Sequence, residues 1–216
     1  MKIIVIGAGA MGCLYGAYLS KHNDVTMLDV YEPQVENINQ NGITVLEEDG
    51  TEQHFSGIRA MKSGTCKEVA DLVIVFVKST HTESSLEENK DLFGENTLVM
   101  TLQNGAGNDR KIAKYVRTEN IIIGTSKHNS VNLGGGKIRH SGNGVTTIGS
   151  NLEENTPPSD GGRPADRSGL PVRCFGRYPA HYLEQAVRES VHQHLHRYHR
   201  NAYRLHDRKS VRMGLC

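Results

Sequence analysis

The sequence predicts an α/β protein built on a doubly wound, mostly parallel sheet. Three observations predict it. Short β-branched or wholly apolar runs alternate with helix-forming runs up to about Gly149, the pattern of strands joined by crossover helices. The first apolar run, Ile3-Ile4-Val5-Ile6, leads straight into Gly7-Ala8-Gly9-Ala10-Met11-Gly12, a G-x-G-x-x-G turn. The second strand ends in an acid, Asp29.

Taken in order, Ile3–Ile6 is the first strand and Cys13 to Lys21 the helix-forming run that follows the glycine turn. Val25–Leu28 is the second strand. Glu32 to Gln40 reads as a short helix stopped by Gly42. Ile43–Leu46 and Gln53–Phe55 flank Glu47-Glu48-Asp49-Gly50 and form a hairpin pattern. Leu72 to Val77 is continuously apolar, as a parallel strand covered on both faces should be. A helix from Ser84 to Leu92, a strand from Thr97 to Leu102, a helix from Asp109 to Val116 and a strand at Ile121–Ile123 complete the alternation. Lys137–His140 and Val145–Ile148, separated by Ser141-Gly142-Asn143-Gly144, are expected to pair as an antiparallel hairpin at the sheet edge.

The glycine turn carries chemistry in this context. Gly7 permits the tight turn, Gly9 lets the backbone approach a pyrophosphate, and Gly12 lets the helix pack close to the strand. First-turn amides then face the phosphates, and the helix dipole favours their charge. Gly7, Ala8, Gly9, Ala10, Met11 and Gly12 are therefore candidate dinucleotide-binding residues on a Rossmann-type sheet. Asp29 lies about 20 residues past the turn, where an acid accepts hydrogen bonds from the adenosine ribose. Its charge repels a 2′-phosphate, and no arginine follows closely to hold one. The cofactor expected is NAD(P)H, with NADH slightly favoured.

In open α/β sheets the ligand lies beyond the carboxyl ends of the strands. Two loops leave strands there: Val77-Lys78-Ser79-Thr80 and Leu102-Gln103-Asn104-Gly105-Ala106-Gly107. Lys78 is a candidate for neutralising cofactor phosphate or standing near a substrate carboxylate. Asn104 offers a donor and an acceptor beside glycines. An exposed lysine and a turn asparagine are the plainer readings of the same residues.

Whole-chain composition narrows the partners. Net charge is +1 over 216 residues, which points to neither nucleic acid nor an anionic membrane. Cys13, Cys66, Cys174 and Cys216 are widely spaced with no C-x-x-C, so neither a disulfide framework nor a zinc site is expected. The N-terminal apolar run is too short for a signal peptide or a membrane span, and a cytoplasmic location is expected.

Four segments together resemble the ketopantoate reductase (2-dehydropantoate 2-reductase) family: GAGAMG at the start, VKST, LQNGAG, and Gly136 to Gly149 (GKIRHSGNGVTTIG). The resemblance covers residues 1–157. It implies an NAD(P)H-dependent oxidoreductase that reduces 2-dehydropantoate to pantoate on the way to pantothenate and coenzyme A, with a small 2-keto acid as partner. It assigns the glycine loop to the pyrophosphate, Lys78 to the cofactor, and Asn104 to both nicotinamide and substrate. It leaves room for a homo-oligomer in the intact family protein. Better-known members prefer NADPH and carry an arginine near the end of strand two, where this chain has Asp29-Val30. The alternatives are a dinucleotide-binding module without catalysis and a reductase of another small 2-keto acid.

The family continues with a helical domain that supplies a catalytic lysine. Residues 158–216 read differently. Up to Pro157 there are 14 basic and 19 acidic residues; from Pro158 there are 11 basic and 5 acidic. The later segment has no isoleucine, one lysine (Lys209), ten arginines and six of the eleven histidines. Advancing the reading frame by one base, with free choice of synonymous codons, rewrites Ser159 to about Ser210 as a sequence with helical apolar spacing and the family's W-x-K-x-x-x-N pattern. The expectation is a dinucleotide-binding domain over 1–157 and an out-of-frame, poorly ordered segment over 158–216 that lacks the catalytic lysine, with catalysis impaired. Two functional readings compete. His192, His196 and His199 have metal-ligand spacing on a helix, and Arg197, Arg200, Arg204, Arg208 and Arg212 form a basic stripe. Out-of-frame composition accounts for both, so no catalytic residue and no metal ligand is assigned.

Overall fold

The computed structural model describes residues 1–142 and 144–150, and the backbone of 173–175. The segment 158–216, with its histidine and arginine patterns, lies outside the described residues except for that short stretch.

The chain runs β1 (Lys2–Ile6), α1 (Ala10–Leu19), β2 (Asp24–Asp29), α2 (Glu32–Asn41), β3 (Ile43–Leu46), β4 (Glu52–Phe55), β5 (Arg59–Lys62), β6 (Leu72–Val75), α3 (Thr82–Glu88), β7 (Leu98–Thr101), α4 (Asn108–Ile112), β8 (Ile121–Ser126), β9 (Asn129–Gly134), β10 (Lys137–Gly142), β11 (Thr146–Ser150) and β12 (Arg173–Phe175). The main sheet has the order β12-β11-β8-β7-β6-β1-β2-β5. From β5 to β8 every neighbouring pair is parallel. β11 joins β8 antiparallel, and β12 runs parallel to β11. The expected doubly wound, Rossmann-type sheet is present.

Strand periodicity explains the two faces. Alternate side chains point to opposite sides of a strand. Ile3 and Val5 of β1, Val25 and Met27 of β2, and Leu72 and Ile74 of β6 face one core, with α1 and Ile38 of α2. Ile4, Ile6, Leu28, Val73 and Val75 face the other, with Leu86 of α3 and Ile112 of α4. These central strands are apolar at nearly every position because both faces are covered.

A second sheet, in the order β4-β3-β10-β9, covers the outer side of α1. The helix sequence Ala-Met-Gly-Cys-Leu-Tyr-Gly-Ala-Tyr-Leu carries no charge, and a helix apolar all round has to be buried all round. On its inner side Gly16 lies so close to the Met27 side chain that a β-carbon would stand 2.4 Å from Sδ. On its outer side the Tyr18 ring meets Phe55 edge-on, with centroids 5.4 Å apart.

Several expectations need correction. The predicted hairpin of Lys137–His140 with Val145–Ile148 does not form. β10 pairs antiparallel with β9 and parallel with β3, while β11 pairs with β8 in the other sheet. The chain thus leaves the small sheet after Gly142 and enters the main sheet at Thr146. Ile138 and His140 turn inward on the small sheet, and Ile148 packs in the main core. Local spacing suggested a turn but could not name the partner strand. The turn that does close a hairpin is Gly134-Gly135-Gly136, all three at positive φ (86°, 57° and 68°), where a side chain would be strained. β9 and β5 were not anticipated, because β9 is mostly exposed and β5 buries only Ala60.

The helix after β6 begins at Thr82 and ends at Glu88, with a separate single turn at Lys90–Leu92. Asn89 divides them: its Nδ2 donates to the Ser85 carbonyl at 2.8 Å and its Oδ1 accepts from the Gly64 amide at 2.8 Å. α4 stops at Ile112 rather than Val116, β6 at Val75 rather than Val77, and α1 begins at Ala10 rather than Cys13. No described helix is long and apolar enough to cross a membrane.

Candidate functional site

The carboxyl ends of β2, β1, β6 and β7 lie side by side along one edge. Ile6 is level with Leu28 on one side and Val75 on the other, and Val75 is level with Thr101. Chain direction fixes where the crevice falls. From β1 the chain winds one way to β2 and later returns to place β6 on the opposite side. Helices leaving β1 and β6 therefore diverge to opposite faces, and a ligand fits at that switch point.

The glycine turn is built as the sequence implies. Gly7 has φ 104°, and its amide donates to the Leu28 carbonyl at 2.8 Å. A β-carbon on Gly7 would press on the Phe76 backbone at 3.0 Å, and one on Gly12 would stand 1.8 Å from the Gly7 carbonyl oxygen. Gly9 is different. It caps α1 in an extended conformation, and a β-carbon there would meet nothing within 4 Å. Gly7 and Gly12 are glycine because of the protein's own backbone. At Gly9 the protein makes no such demand, and the open space beside it is where a phosphate group would approach. Ala10, Met11 and Gly12 open the helix, so their amides have no intrahelical acceptor. The turn thus fits a pyrophosphate on an observation of its own geometry.

Asp29 stands at the end of β2. Its Oδ2 accepts from the Ala8 amide at 2.6 Å, and its Oδ1 accepts from the Tyr31 amide at 2.9 Å. The carboxylate holds the glycine turn against the second strand and keeps further lone pairs for a diol. Ala8 itself is buried; its carbonyl accepts from Gln34 Nε2 at 3.1 Å and from the Cys13 thiol at 3.2 Å. Burial pushes the Cys13 thiol up to about 12, so it serves as a neutral donor under the turn.

Lys78 and Asn104 are both exposed, on the loops leaving β6 and β7. Among the described residues the Lys78 ammonium has no hydrogen-bond or ion-pair partner. The Asn104 carbonyl accepts from Asn108 Nδ2 at 3.4 Å, and its side-chain amide points to no described partner. The sequence passed over Gln103. Its Nε2 donates to the Val77 carbonyl and to Thr82 Oγ1 at 2.9 Å, and its Oε1 accepts from Thr101 Oγ1 at 3.0 Å. One side chain thereby ties together the two loops that carry Lys78 and Asn104. Its position in LQNG was the available signal.

Sequence reading also missed a buried polar chain under α1. Tyr18 donates to Glu47 Oε1, Glu47 Oε2 meets His140 Nδ1 at 3.0 Å, and His140 Nε2 meets His128 Nδ1 at 3.0 Å. Glu47 and His140 are only 8% and 3% exposed. Burial and the neighbouring Glu47 charge push the Tyr18 phenol up, so it remains a donor. The chain links α1, the β3–β4 turn, β10 and the β8–β9 connection. Nearer the edge, Tyr15 packs on Phe76 with ring centroids 4.9 Å apart, and its hydroxyl bonds Ser126 and Thr146 at 2.9 and 2.7 Å. Among the described residues no cluster of His, Cys, Asp or Glu is placed to hold a metal.

The strand switch point, the glycine turn and the acid at the end of β2 define a Rossmann-type dinucleotide-binding α/β domain. Residues 3–153 match the family described as ketopantoate reductase PanE/ApbA, and the chain belongs to that family. A curated 2-dehydropantoate 2-reductase of Lactococcus lactis is 35% identical over 151 residues, 68% of this chain and 48% of that protein. One from Halobacterium salinarum is 33% identical over 151 residues, 69% and 49% of the two chains. The chain thus spans about half the length of the curated relatives it matches. Among solved structures, 2-dehydropantoate 2-reductase from Geobacter metallireducens superposes with a TM-score of 0.66 at 30% identity, over 81% of this chain and 58% of that one. D-mandelate dehydrogenase, solved with NADH and anilino(oxo)acetate, superposes with a TM-score of 0.63 at 29% identity, over 69% and 47%.

Proposed function

We propose that this chain is the cofactor-binding half of a 2-dehydropantoate 2-reductase. Gly9 carries the reading: it is the one glycine of the turn at which the protein's own packing would admit a side chain. The family match and the relatives' names supply the reaction. When bound, the nicotinamide would deliver a hydride to the C2 carbonyl of the keto acid. The turn amides and the α1 dipole hold the pyrophosphate, and Asp29 receives the ribose hydroxyls. Lys78 offers its charge to phosphate or substrate carboxylate, and Asn104 its amide to the nicotinamide and the substrate carbonyl. NADH is favoured over NADPH because Asp29 repels a 2′-phosphate; the NADH in the D-mandelate dehydrogenase structure supports that preference. The same neighbour supports a second reading, reduction of another small 2-keto acid. A cytoplasmic enzyme without nucleic-acid or membrane partners, homo-oligomeric in its intact form, accords with both.

We further propose that the family's catalytic lysine is encoded out of frame beyond Pro157, which makes 1–157 the functional unit of the sequence as it stands. An acid positioned to protonate the developing alkoxide contributes about 10²–10⁴ in rate. The test is nicotinamide oxidation with 2-dehydropantoate and a panel of 2-keto acids, comparing this chain with one in which a single base is inserted or deleted near codons 155–160. Turnover only in the frame-corrected chain is expected. Equal turnover in both would overturn the out-of-frame reading. Turnover of a different keto acid would favour the second reading.

A further inference from the structure

We propose that Gln103 is a positioning residue that sets the nicotinamide end of the site by locking the Lys78 loop to the Asn104 loop. The inference rests on the dinucleotide reading above. Hydrogen-bond chemistry fixes the orientation of the Gln103 amide. The Val77 carbonyl can only accept, so the group facing it is the Nε2 donor. The Oε1 on the other side then takes the Thr101 hydroxyl at 3.0 Å. Nε2 also reaches Thr82 Oγ1 at 2.9 Å, at the start of α3. One side chain therefore joins the end of β6, the start of α3 and the end of β7.

Sequence position gives this junction its consequence. Val77 precedes Lys78, and Gln103 precedes Asn104. A displacement of either loop moves a proposed cofactor-binding group directly. Two further contacts brace the loops: Lys111 Nζ donates to the Ser79 carbonyl at 2.7 Å, and Asn108 Nδ2 reaches the Asn104 and Gly105 carbonyls at 3.4 Å. Neither crosses directly between the residues preceding Lys78 and Asn104, as Gln103 does. The glycine turn follows β1 and Asp29 ends β2, and among the described residues no hydrogen bond joins either to Gln103, so the adenosine end should be far less sensitive to it.

That asymmetry supplies the test. Gln103→Met keeps similar length without the hydrogen bonds. Gln103→Glu keeps the shape but sets a carboxylate oxygen against the Val77 carbonyl. Calorimetry on the 216-residue chain would compare NADH, which spans the site, with ADP-ribose, which lacks the nicotinamide ring. Both variants should bind NADH about tenfold more weakly, the effect of losing roughly 1.4 kcal/mol, and should bind ADP-ribose within about twofold of the wild type. Thr101→Val, which removes the hydroxyl that donates to Gln103 Oε1 and accepts from the Gln103 backbone amide at 3.3 Å but leaves the Nε2 bonds in place, should give a smaller loss in the same direction, and Thr101→Ser should restore NADH affinity. The Thr101 pair decides the matter if the Gln103 variants do not fold. Parallel loss of both ligands would reduce Gln103 to a structural residue and overturn the proposal, as would unchanged NADH affinity. Failure of the wild type to bind ADP-ribose would instead overturn the dinucleotide reading, and this inference with it.

Discussion

Asp29 Oδ2 accepts the Ala8 amide proton across 2.6 Å, so the acid proposed to read the ribose also holds the glycine turn in place. The two roles separate on substitution. Asp29→Ser removes the charge that opposes a 2′-phosphate and also loosens the turn. The expected outcome is weaker binding of NADH together with a ratio of affinities shifted toward NADPH by about fivefold, an exposed close charge being worth about 1 kcal/mol. Paired titrations with the two cofactors measure that ratio. A ratio identical to the wild type's would show that this carboxylate does not discriminate between them.

Gly12 and Gly9 should respond in opposite ways to a methyl group. Gly12→Ala places a β-carbon 1.8 Å from the Gly7 carbonyl oxygen, and relieving it requires α1 to move off β1. Overpacking of that kind costs about 1–3 kcal/mol. Gly9→Ala meets nothing within 4 Å and should leave stability within about 0.5 kcal/mol. Urea denaturation of both variants compares them; equal losses would remove the distinction between a packing glycine and a ligand glycine.

The Glu47–His140 pair should be worth more to the fold than the surface ion pairs. Both side chains are buried, and the bond spans 93 residues of sequence. Removing Glu47 takes an acceptor from both the Tyr18 hydroxyl and His140 Nδ1, and a buried polar group that loses its partner costs about 1–3 kcal/mol. Glu47→Ala should therefore destabilise the chain by about that amount. Lys67→Ala, which breaks an exposed pair with Asp91, should have little measurable effect, because solvent screens the pair. Comparable effects from the two would contradict the role given to the buried chain.

Alkaline pH should destabilise the protein through its buried neutral acids. Cys13 is raised from 9.0 to about 12 by burial. The unfolded thiol ionises first, so the contribution is intact below about pH 9 and is lost as pH climbs through about 12. Three pH units correspond to about 4 kcal/mol. Tyr15 and Tyr18 are raised in the same direction, chiefly by burial, and add to the fall above their ordinary value. Cys13→Ala should flatten the part of the stability profile that begins near pH 9. A wild-type profile that stays flat from pH 9 to 11 would contradict the burial of these groups.

What was legible in the sequence was local. Gly7 to Gly12, Asp29, Lys78 and Asn104 each sit within a few residues of a strand end, and the alternation of apolar runs identifies those ends. The structure places all of them along one edge. The small sheet was only half legible. The β3–β4 hairpin has a short turn and was anticipated, whereas the parallel pairing of β10 with β3 joins Val45 to Ile138, and no local pattern encodes that partner. Glu47, His128 and His140 were invisible for the same reason. Gln103 was passed over because a loop glutamine acquires meaning only when Val77, Thr82 and Thr101 surround it.

The open space at Gly9 is the proposed seat of the pyrophosphate of a nicotinamide dinucleotide. Calorimetric titration of NADH into the wild-type chain and into Gly9→Val tests it directly, with thermal melting as the control for folding. One NADH should bind per wild-type chain, Gly9→Val should show no measurable binding, and the two proteins should melt at closely similar temperatures. Undiminished binding by a folded Gly9→Val variant would contradict it.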